Sequence, residues 1–419
     1  MSKFSIAHLI PNDCKFFDHV VSIMEAVNPG ANRFVVAPGS SVLKLKQSGM
    51  LGVAQICESF DEFARVGRDT VAEADGVIVH SLETYMTEPL MSAAPDVPVL
   101  WAVWGGDLAE AMPLVRYSSL LRKTAAAKLS ARIAQKLNRP FPGPGTECLA
   151  QILTRTFDPK WWPTAARALG QTRSKADFRK VAARIDFYAG LEATPGLVEA
   201  NSGFAGIWRP EFKYYTVEIP AECVAGPDIL IGNRATPSCN HFDAFDDVRR
   251  AGLAEGKIVL PLSYGSKHYG DYVERQARKM FGDRVLALRD WLDFDEYSKI
   301  ASTCGTAIMN FRRGQALGTS LLLLAKGARV YFRSENSHYR YYNRLGAKVF
   351  AIDKPEDRSQ MGRPLEREYQ MQNREIVEQN WSRDAVEARA MELVGSMQKF
   401  KNNRARTGIE TSDFSGQFA

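Results

Sequence analysis

Several short stretches of this chain carry residue types that handle phosphate and hydroxyl groups. The most concentrated is NFRRGQALGTSLLLL, where Asn310 ends an apolar run, Arg312 and Arg313 follow, and Gly318, Thr319 and Ser320 open an apolar helix. A diphosphate needs neutralising charge and free N–H donors, and paired arginines beside a helix start supply both. An exposed arginine pair next to an ordinary cap is the competing account. In ILIGNRATPSCNHFDAF, Gly232 ends a second apolar run, and Asn233, Arg234, Thr236, Ser238 and Asn240 precede a helix. This turn also offers N–H groups and a cation, or it is simply a capped loop. Glu335 and Asn336 in RSENSHYR suit ribose hydroxyls or helix capping. Tyr264 in LPLSYGSKHYGDY presents a flat face for a base or a sugar. In WAVWGGDLAEAM, Gly105 and Gly106 allow a tight turn, and Asp107 stands at the next helix start, either as a general base towards a hydroxyl or as a cap.

Metal chemistry has no footing in these patterns. The six histidines (His8, His19, His80, His241, His268 and His338) show neither HxxxH nor HExxH spacing, and the six cysteines form no CxxC pair. No metal and no other cofactor is expected. His8 and His80 lie in or at the end of apolar runs, where a histidine serves as a hydrogen-bonded core residue or as a catalyst.

The elements that would position these residues follow from periodicity. Short apolar runs bounded by Gly, Pro and Asp alternate with helical patterns: FSIAHLI, RFVVA, DGVIVHSL and VPVLWAVWGGD in the first part, then RIDFYAG. From PDILIGN the rhythm restarts cleanly, with KIVLPLSYG, RVLAL, GTAIMNF and ARVYF each followed by a helical pattern. An α/β chain with two Rossmann-like, doubly wound domains is predicted, which agrees with the length of 419 residues. The expected divisions are residues 1–220, residues 221–362, and helices with a tail over 363–419. Open α/β sheets bind ligands beyond the carboxyl ends of their strands, so function is sought at strand-to-helix turns.

Charge is unevenly placed. Residues 116–184 hold fifteen lysines and arginines against three acids, more positive charge than the net +6 of the whole chain. Within them, YSSLLRKTAAAKLSARIAQKL is a strong helix former with Lys128, Arg132 and Lys136 on one stripe, and KWWP places Trp161 and Trp162 beside a lysine. A basic amphipathic segment with tryptophans suits an anionic membrane surface, and the competing account is a solvated helix face. No apolar run is long enough to span a bilayer, the N-terminus reads as a first strand rather than a signal peptide, and cysteine usage fits a reducing compartment. A cytoplasmic protein, peripheral on the inner face of the cell membrane, is expected.

In order along the chain, these turns resemble the bacterial 4-acetamido-4,6-dideoxygalactose (fucosaminyl) transferases that build enterobacterial common antigen on a lipid carrier. The resemblance runs through His8 and Asp13 (H-x4-D), Trp104 to Leu108 with Arg116 and Tyr117, and Ile229 to Asn233 with Asn240 and His241. It continues through Leu260 to Tyr264, Gly318 with Thr319, and Arg333 to Asn336. It is fullest over residues 227–336, and the basic segment is longer than the family pattern. The resemblance implies a metal-independent GT-B glycosyltransferase whose two domains face across a cleft. Its C-terminal domain would hold a nucleotide-sugar, dTDP-linked, and its N-terminal domain a lipid-linked glycan acceptor. His8 and Asp13 join Asp107 as candidate catalytic residues. Asn233, Arg234, Tyr264, Asn310, Arg312, Arg313, Gly318, Thr319, Glu335 and Asn336 are the candidate donor-binding set.

Two other readings compete. A nucleotide-sugar epimerase can share the fold and donor site and needs no acceptor. A non-catalytic polyanion binder would use the basic segment, although no nucleic-acid motif is present and nucleic acid is not an expected partner.

Overall fold

A computed structural model describes residues 3–11, 14–39, 54–104, 181, 183–190, 207–208, 214–219, 223–224, 226–312 and 314–407. Asp13, Asp107, Arg313, Lys128, Arg132, Lys136, Trp161 and Trp162 lie outside them, as does nearly all of the basic segment.

The described elements fall into two compact units. The first contains a seven-stranded parallel sheet in the order β3-β2-β1-β4-β5-β6-β7. Its strands are β1 (Ile6–Ile10), β2 (Asn32–Val36), β3 (Ala54–Ile56), β4 (Gly76–His80), β5 (Val99–Ala102), β6 (Phe187–Ala189) and β7 (Ile207–Trp208). Strands β1, β4 and β5 are buried along their whole length. Continuous apolar runs of this kind belong to parallel sheets covered on both faces, which is why they are not alternating patterns. The order reverses between β1 and β4, so the chain leaves these two neighbours towards opposite edges of the sheet, and their carboxyl ends mark a switch point.

The second unit repeats the plan with six parallel strands in the order β10-β9-β8-β11-β12-β13. They are β8 (Ile229–Ile231), β9 (Ile258–Pro261), β10 (Val285–Leu288), β11 (Thr306–Met309), β12 (Arg329–Phe332) and β13 (Phe350–Ala351). Here β8 and β11 flank the switch point. The helix after β11, Leu317–Ala325, is buried all round from Ser320 onward. Its one polar residue in that run, Ser320, shares a hydrogen bond with the Tyr342 hydroxyl at 2.9 Å.

The five strand-and-helix repeats expected from residue 227 onward are all present, and β3, β7 and β13 are additions. They are two or three residues long, too short to show a period of their own.

The final helix, Arg383–Thr407, packs on the first unit. Val386, Ala390, Leu393, Met397 and Phe400 recur at the spacing of one helix face and join the core formed by Ile6, Phe17, Phe34 and Phe187. Arg404 donates to buried Asp186 at 2.7 Å, and Lys401 to Asp75 at 2.6 Å. The preceding helix, Arg367–Trp381, stays with the second unit, where buried Trp381 lies edge-on to Tyr341 and Tyr342.

Candidate functional site

In the second unit, two turns meet at the switch point. The β8 turn begins with Gly232 at φ +74°, where an added Cβ would stand 2.8 Å from Nε2 of His241. Only glycine fits both the left-handed backbone and that contact. Asn233 is buried and donates from Nδ2 to the Tyr264 hydroxyl at 2.9 Å. Tyr264 is thereby held at the end of the β9 strand, with Trp291 beside it at 6.2 Å between ring centroids. The turn ends in Asn240, in the left-handed region at φ +50°, just before the helix His241–Arg250.

The β11 turn lies alongside. Asn240 donates to the Asn310 carbonyl at 3.0 Å, and Asn310 donates back to the Asn240 carbonyl at 3.1 Å. Gln315 reaches from this turn to Asn233 Oδ1 at 3.4 Å, and its own Oε1 accepts from Ser238 at 3.3 Å. Ala316, left-handed at φ +64°, leads into the helix Leu317–Ala325, whose start has no side-chain cap and no acidic residue in its first turn. Gly318 and Thr319 therefore sit where backbone N–H groups and the positive end of the helix dipole remain available to an anion.

Three arginines border these turns. Arg312 forms a two-point ion pair with Glu335, from Nε at 2.7 Å and from Nη2 at 3.1 Å. Arg333 joins the same carboxylate from Nε at 2.7 Å. Burial works against the charge on Glu335, but hydrogen bonds from Arg312 and Arg333 outweigh it and hold the carboxyl below its usual range. Arg333 also acts on the Asp353 carboxylate, so the two guanidiniums here are matched by two acids, and Arg234 is the further cation beside these turns. Asn336 caps the helix Ser337–Arg344, accepting from the His338 N–H at 2.7 Å and donating to the Phe311 carbonyl at 2.9 Å.

Several buried polar atoms have no hydrogen-bond partner among the described residues: Nε of Arg234, Nη1 of Arg333, Nε2 of His241 and Oδ1 of Asn310. Arginine N–H groups suit an anionic oxygen, and a carboxamide oxygen suits a hydroxyl. Burial takes His241 down to about 3, so its ring is neutral, and its Nδ1 pairs with the Tyr269 hydroxyl at 3.1 Å.

The structure thus brings Asn233, Arg234, Tyr264, Asn310, Arg312, Gly318, Thr319, Glu335 and Asn336 to one end of one sheet. Arg333 and Gln315 also belong to this group, and neither was a sequence candidate. Arg333 stood in the quoted Arg-Ser-Glu-Asn run, but nothing in one sequence says that it shares a carboxylate with Arg312. Among the described residues, no three or more His, Cys, Asp or Glu side chains are arranged to hold a metal ion.

In the first unit, His8 on β1 and His80 at the end of β4 form a buried pair, with Nδ1 of His8 3.1 Å from Nε2 of His80. Burial pushes His8 down to about 4, against the hydrogen bond that its ring donates to Asn32 Oδ1. Burial, with His8 adding to it, takes His80 well below the usual histidine value.

Residues 211–361 match the model of a family described as 4-alpha-L-fucosyltransferase, glycosyl transferase group 56. That stretch contains every candidate donor-binding residue. Among solved structures, the chain is similar to HepE of Anabaena in complex with UDP, at 9% identity and a TM-score of 0.58 over 94% of this chain and 100% of that one. It is similar to a glycosyltransferase from Rickettsia africae, at 9% identity and 0.57 over 95% and 100%. A third likeness is to sucrose-phosphate synthase from Thermosynechococcus elongatus, at 9% identity and 0.58 over 94% and 99%. At these identities the likeness concerns the fold, which is the two-domain α/β fold of the GT-B type. With the family match, it defines the class of this protein, a glycosyltransferase.

Proposed function

We propose that the protein moves a 6-deoxyhexose, of the acetamido-dideoxy kind, from a dTDP-linked donor to a lipid-linked or other cell-surface glycan acceptor at the cytoplasmic face of the membrane. The observation that carries the donor side is the junction of the β8 and β11 turns. There Arg234, Arg312 and Arg333 border an uncapped helix start, within the stretch that matches the fucosyltransferase family model. A departing nucleotide diphosphate gathers negative charge in the transition state. Cations and N–H donors already in place stabilise that charge without reorganising. Tyr264, fixed by Asn233, offers the flat face for base or sugar. A 6-deoxy sugar is common to the family description and to the sequence resemblance.

The acceptor side and the membrane rest on sequence: the basic segment with Lys128, Arg132, Lys136, Trp161 and Trp162, and the resemblance to lipid-carrier transferases. No helix among the described residues is long and apolar enough to cross a membrane. The test is a calorimetric screen of dTDP-, UDP- and GDP-linked 6-deoxyhexoses, followed by transfer assays on short-chain prenyl-diphosphate saccharides. Saturable binding of one donor with transfer to such an acceptor is the expected result. Binding without transfer to any saccharide would leave an epimerase in its place.

A further inference from the structure

In the second unit, Arg312 already has an anion of its own. Its Nε and Nη2 groups form an edge with two parallel N–H bonds, and they reach Oε1 and Oε2 of Glu335 at 2.7 and 3.1 Å. Both carboxylate oxygens are taken in this way, and Oε1 also accepts from Nε of Arg333 at 2.7 Å. Phosphate oxygens are recognised through the same fork. An incoming diphosphate therefore either takes this edge from Glu335 or meets a guanidinium whose charge is matched. Arg333 gives no relief, since Glu335 and Asp353 are both beside it.

The two arginines are not held equally. Glu335 stands in a segment fixed on both sides. Ser334 donates to Asp353 from its main-chain N–H at 2.8 Å and from its hydroxyl at 2.6 Å, and Asn336 donates to the Phe311 carbonyl at 2.9 Å. The Arg333 side chain is 13% exposed, whereas those of Arg312 and Glu335 are 34% and 35% exposed. Arg312 is thus the partner that can be exchanged. When it turns to another anion, Glu335 keeps Arg333 and gains water, so no charge is left buried and unpaired. The two turns are in direct contact, because a Cβ added at Gly314 would stand 2.9 Å from Oγ of Ser337, at the start of the helix that follows Glu335.

We propose that Glu335 is an internal competitor for the diphosphate: it holds Arg312 before the donor binds, yields that edge to phosphate oxygens, and takes it back as the nucleotide diphosphate leaves. This rests on the glycosyl-transfer reading above. Transfer frees a terminal phosphate whose second proton is lost near neutral pH, so the product carries more negative charge than the donor. A site made only of cations and N–H donors would hold that product more tightly than its substrate, and product release limits turnover in many enzymes. A carboxylate on the same arginine works against this, because every ligand of Arg312 is weakened by the fraction of molecules in which Glu335 occupies it. Arg333 is the positioning residue that keeps the carboxylate within reach.

The experiment titrates inorganic diphosphate, dTDP and thymidine calorimetrically into the full-length wild type, Glu335→Gln, Arg312→Ala and the double variant. Glutamine keeps the shape of the side chain and removes its charge. Glu335→Gln should bind inorganic diphosphate and dTDP about three- to tenfold more tightly, release dTDP more slowly by a similar factor, and bind thymidine as the wild type does. In the Arg312→Ala background the same substitution should give no gain. Unchanged diphosphate affinity in Glu335→Gln, or an equal gain without Arg312, overturns the proposal. Weaker binding in Glu335→Gln overturns it too, and would assign the carboxylate to a hydroxyl of the ligand. If Glu335→Gln fails to fold, Glu335→Asp decides in its place, since it draws the carboxylate back by one methylene and should also tighten diphosphate binding. Failure of both wild type and Glu335→Gln to bind dTDP, UDP or GDP would defeat the functional reading instead.

Discussion

Asn240 and Asn310 exchange hydrogen bonds, each carboxamide donating to the other's main-chain carbonyl, at 3.0 and 3.1 Å, with both residues fully buried. This pair ties the β8 turn to the β11 turn across the switch point. The two halves of the candidate diphosphate site cannot move apart while it holds. Asn310→Ala leaves the Asn240 carbonyl without that donor and should cost roughly 1–3 kcal/mol. Urea unfolding reads the loss, and calorimetry should show weaker nucleotide-diphosphate binding in the same variant. Wild-type stability in Asn310→Ala would mean that the turns are held together by something else.

Gly232→Ala tests the tight approach of backbone to His241. The new methyl meets Nε2 at 2.8 Å in a backbone conformation at φ +74°, so strain and steric conflict act together. Destabilisation of about 1–3 kcal/mol is expected, in the range for overpacked sites. His241→Ala in the same background should recover part of it, since it removes the clashing ring. No recovery in the double variant would assign the whole cost to the backbone.

Arg312→Ala removes one cation from the Glu335 cluster. Affinity for nucleotide diphosphate should fall by about 1.5–3 kcal/mol, the range for hydrogen bonds to charged groups, while nucleoside affinity changes little. Equal losses for both ligands would place Arg312 away from the phosphates.

Stability should fall on mild acidification. His8 is held at about 4 and His241 at about 3 when folded, both below the unfolded value of 6.5. The unfolded chain binds more protons below 6.5, so this contribution is complete above that pH. It is lost as pH falls towards about 4 for His8 and about 3 for His241, by about 1.4 kcal/mol per pH unit for each. Asp247 acts in the opposite sense: burial pushes it up to about 6 against Arg358 and Arg250, so it adds stability as pH falls below that value. Unfolding free energies near pH 7 and near pH 5 should show a net loss at the lower pH, reduced in His241→Gln. A gain in the wild type would refute the buried-neutral assignment of the histidines.

The basic segment leads to a salt-dependent prediction. Each lysine or arginine near an anionic bilayer contributes about 1 kcal/mol, and salt screens the attraction. The protein should sediment with anionic vesicles at low salt, release at high salt, and ignore neutral vesicles. Replacing Lys128, Arg132 and Lys136 by Glu should abolish sedimentation and spare transfer to a water-soluble acceptor. Normal vesicle binding by that triple variant would exclude this stretch as the docking surface.

Most of the strands, in their succession along the chain, and the turns that follow them were legible in the sequence, because each depends on local physics. Buried parallel strands such as IAHLI and TAIM are continuous apolar runs, and a turn that meets phosphate needs Gly, Asn and Arg next to a helix start. Pairings between distant residues were not legible. That Arg312 and Arg333 share Glu335, that Asn32 meets the ring of His8, and that the final helix returns to the first unit through Val386 to Phe400 are long-range facts. Residues 8, 32 and 80 become neighbours only because β1 lies between β2 and β4. A single chain records which residues are apolar or charged, whereas strand order decides which of them meet. The contact between His8 and His80 and the allegiance of the last helix therefore belong to the tertiary structure alone.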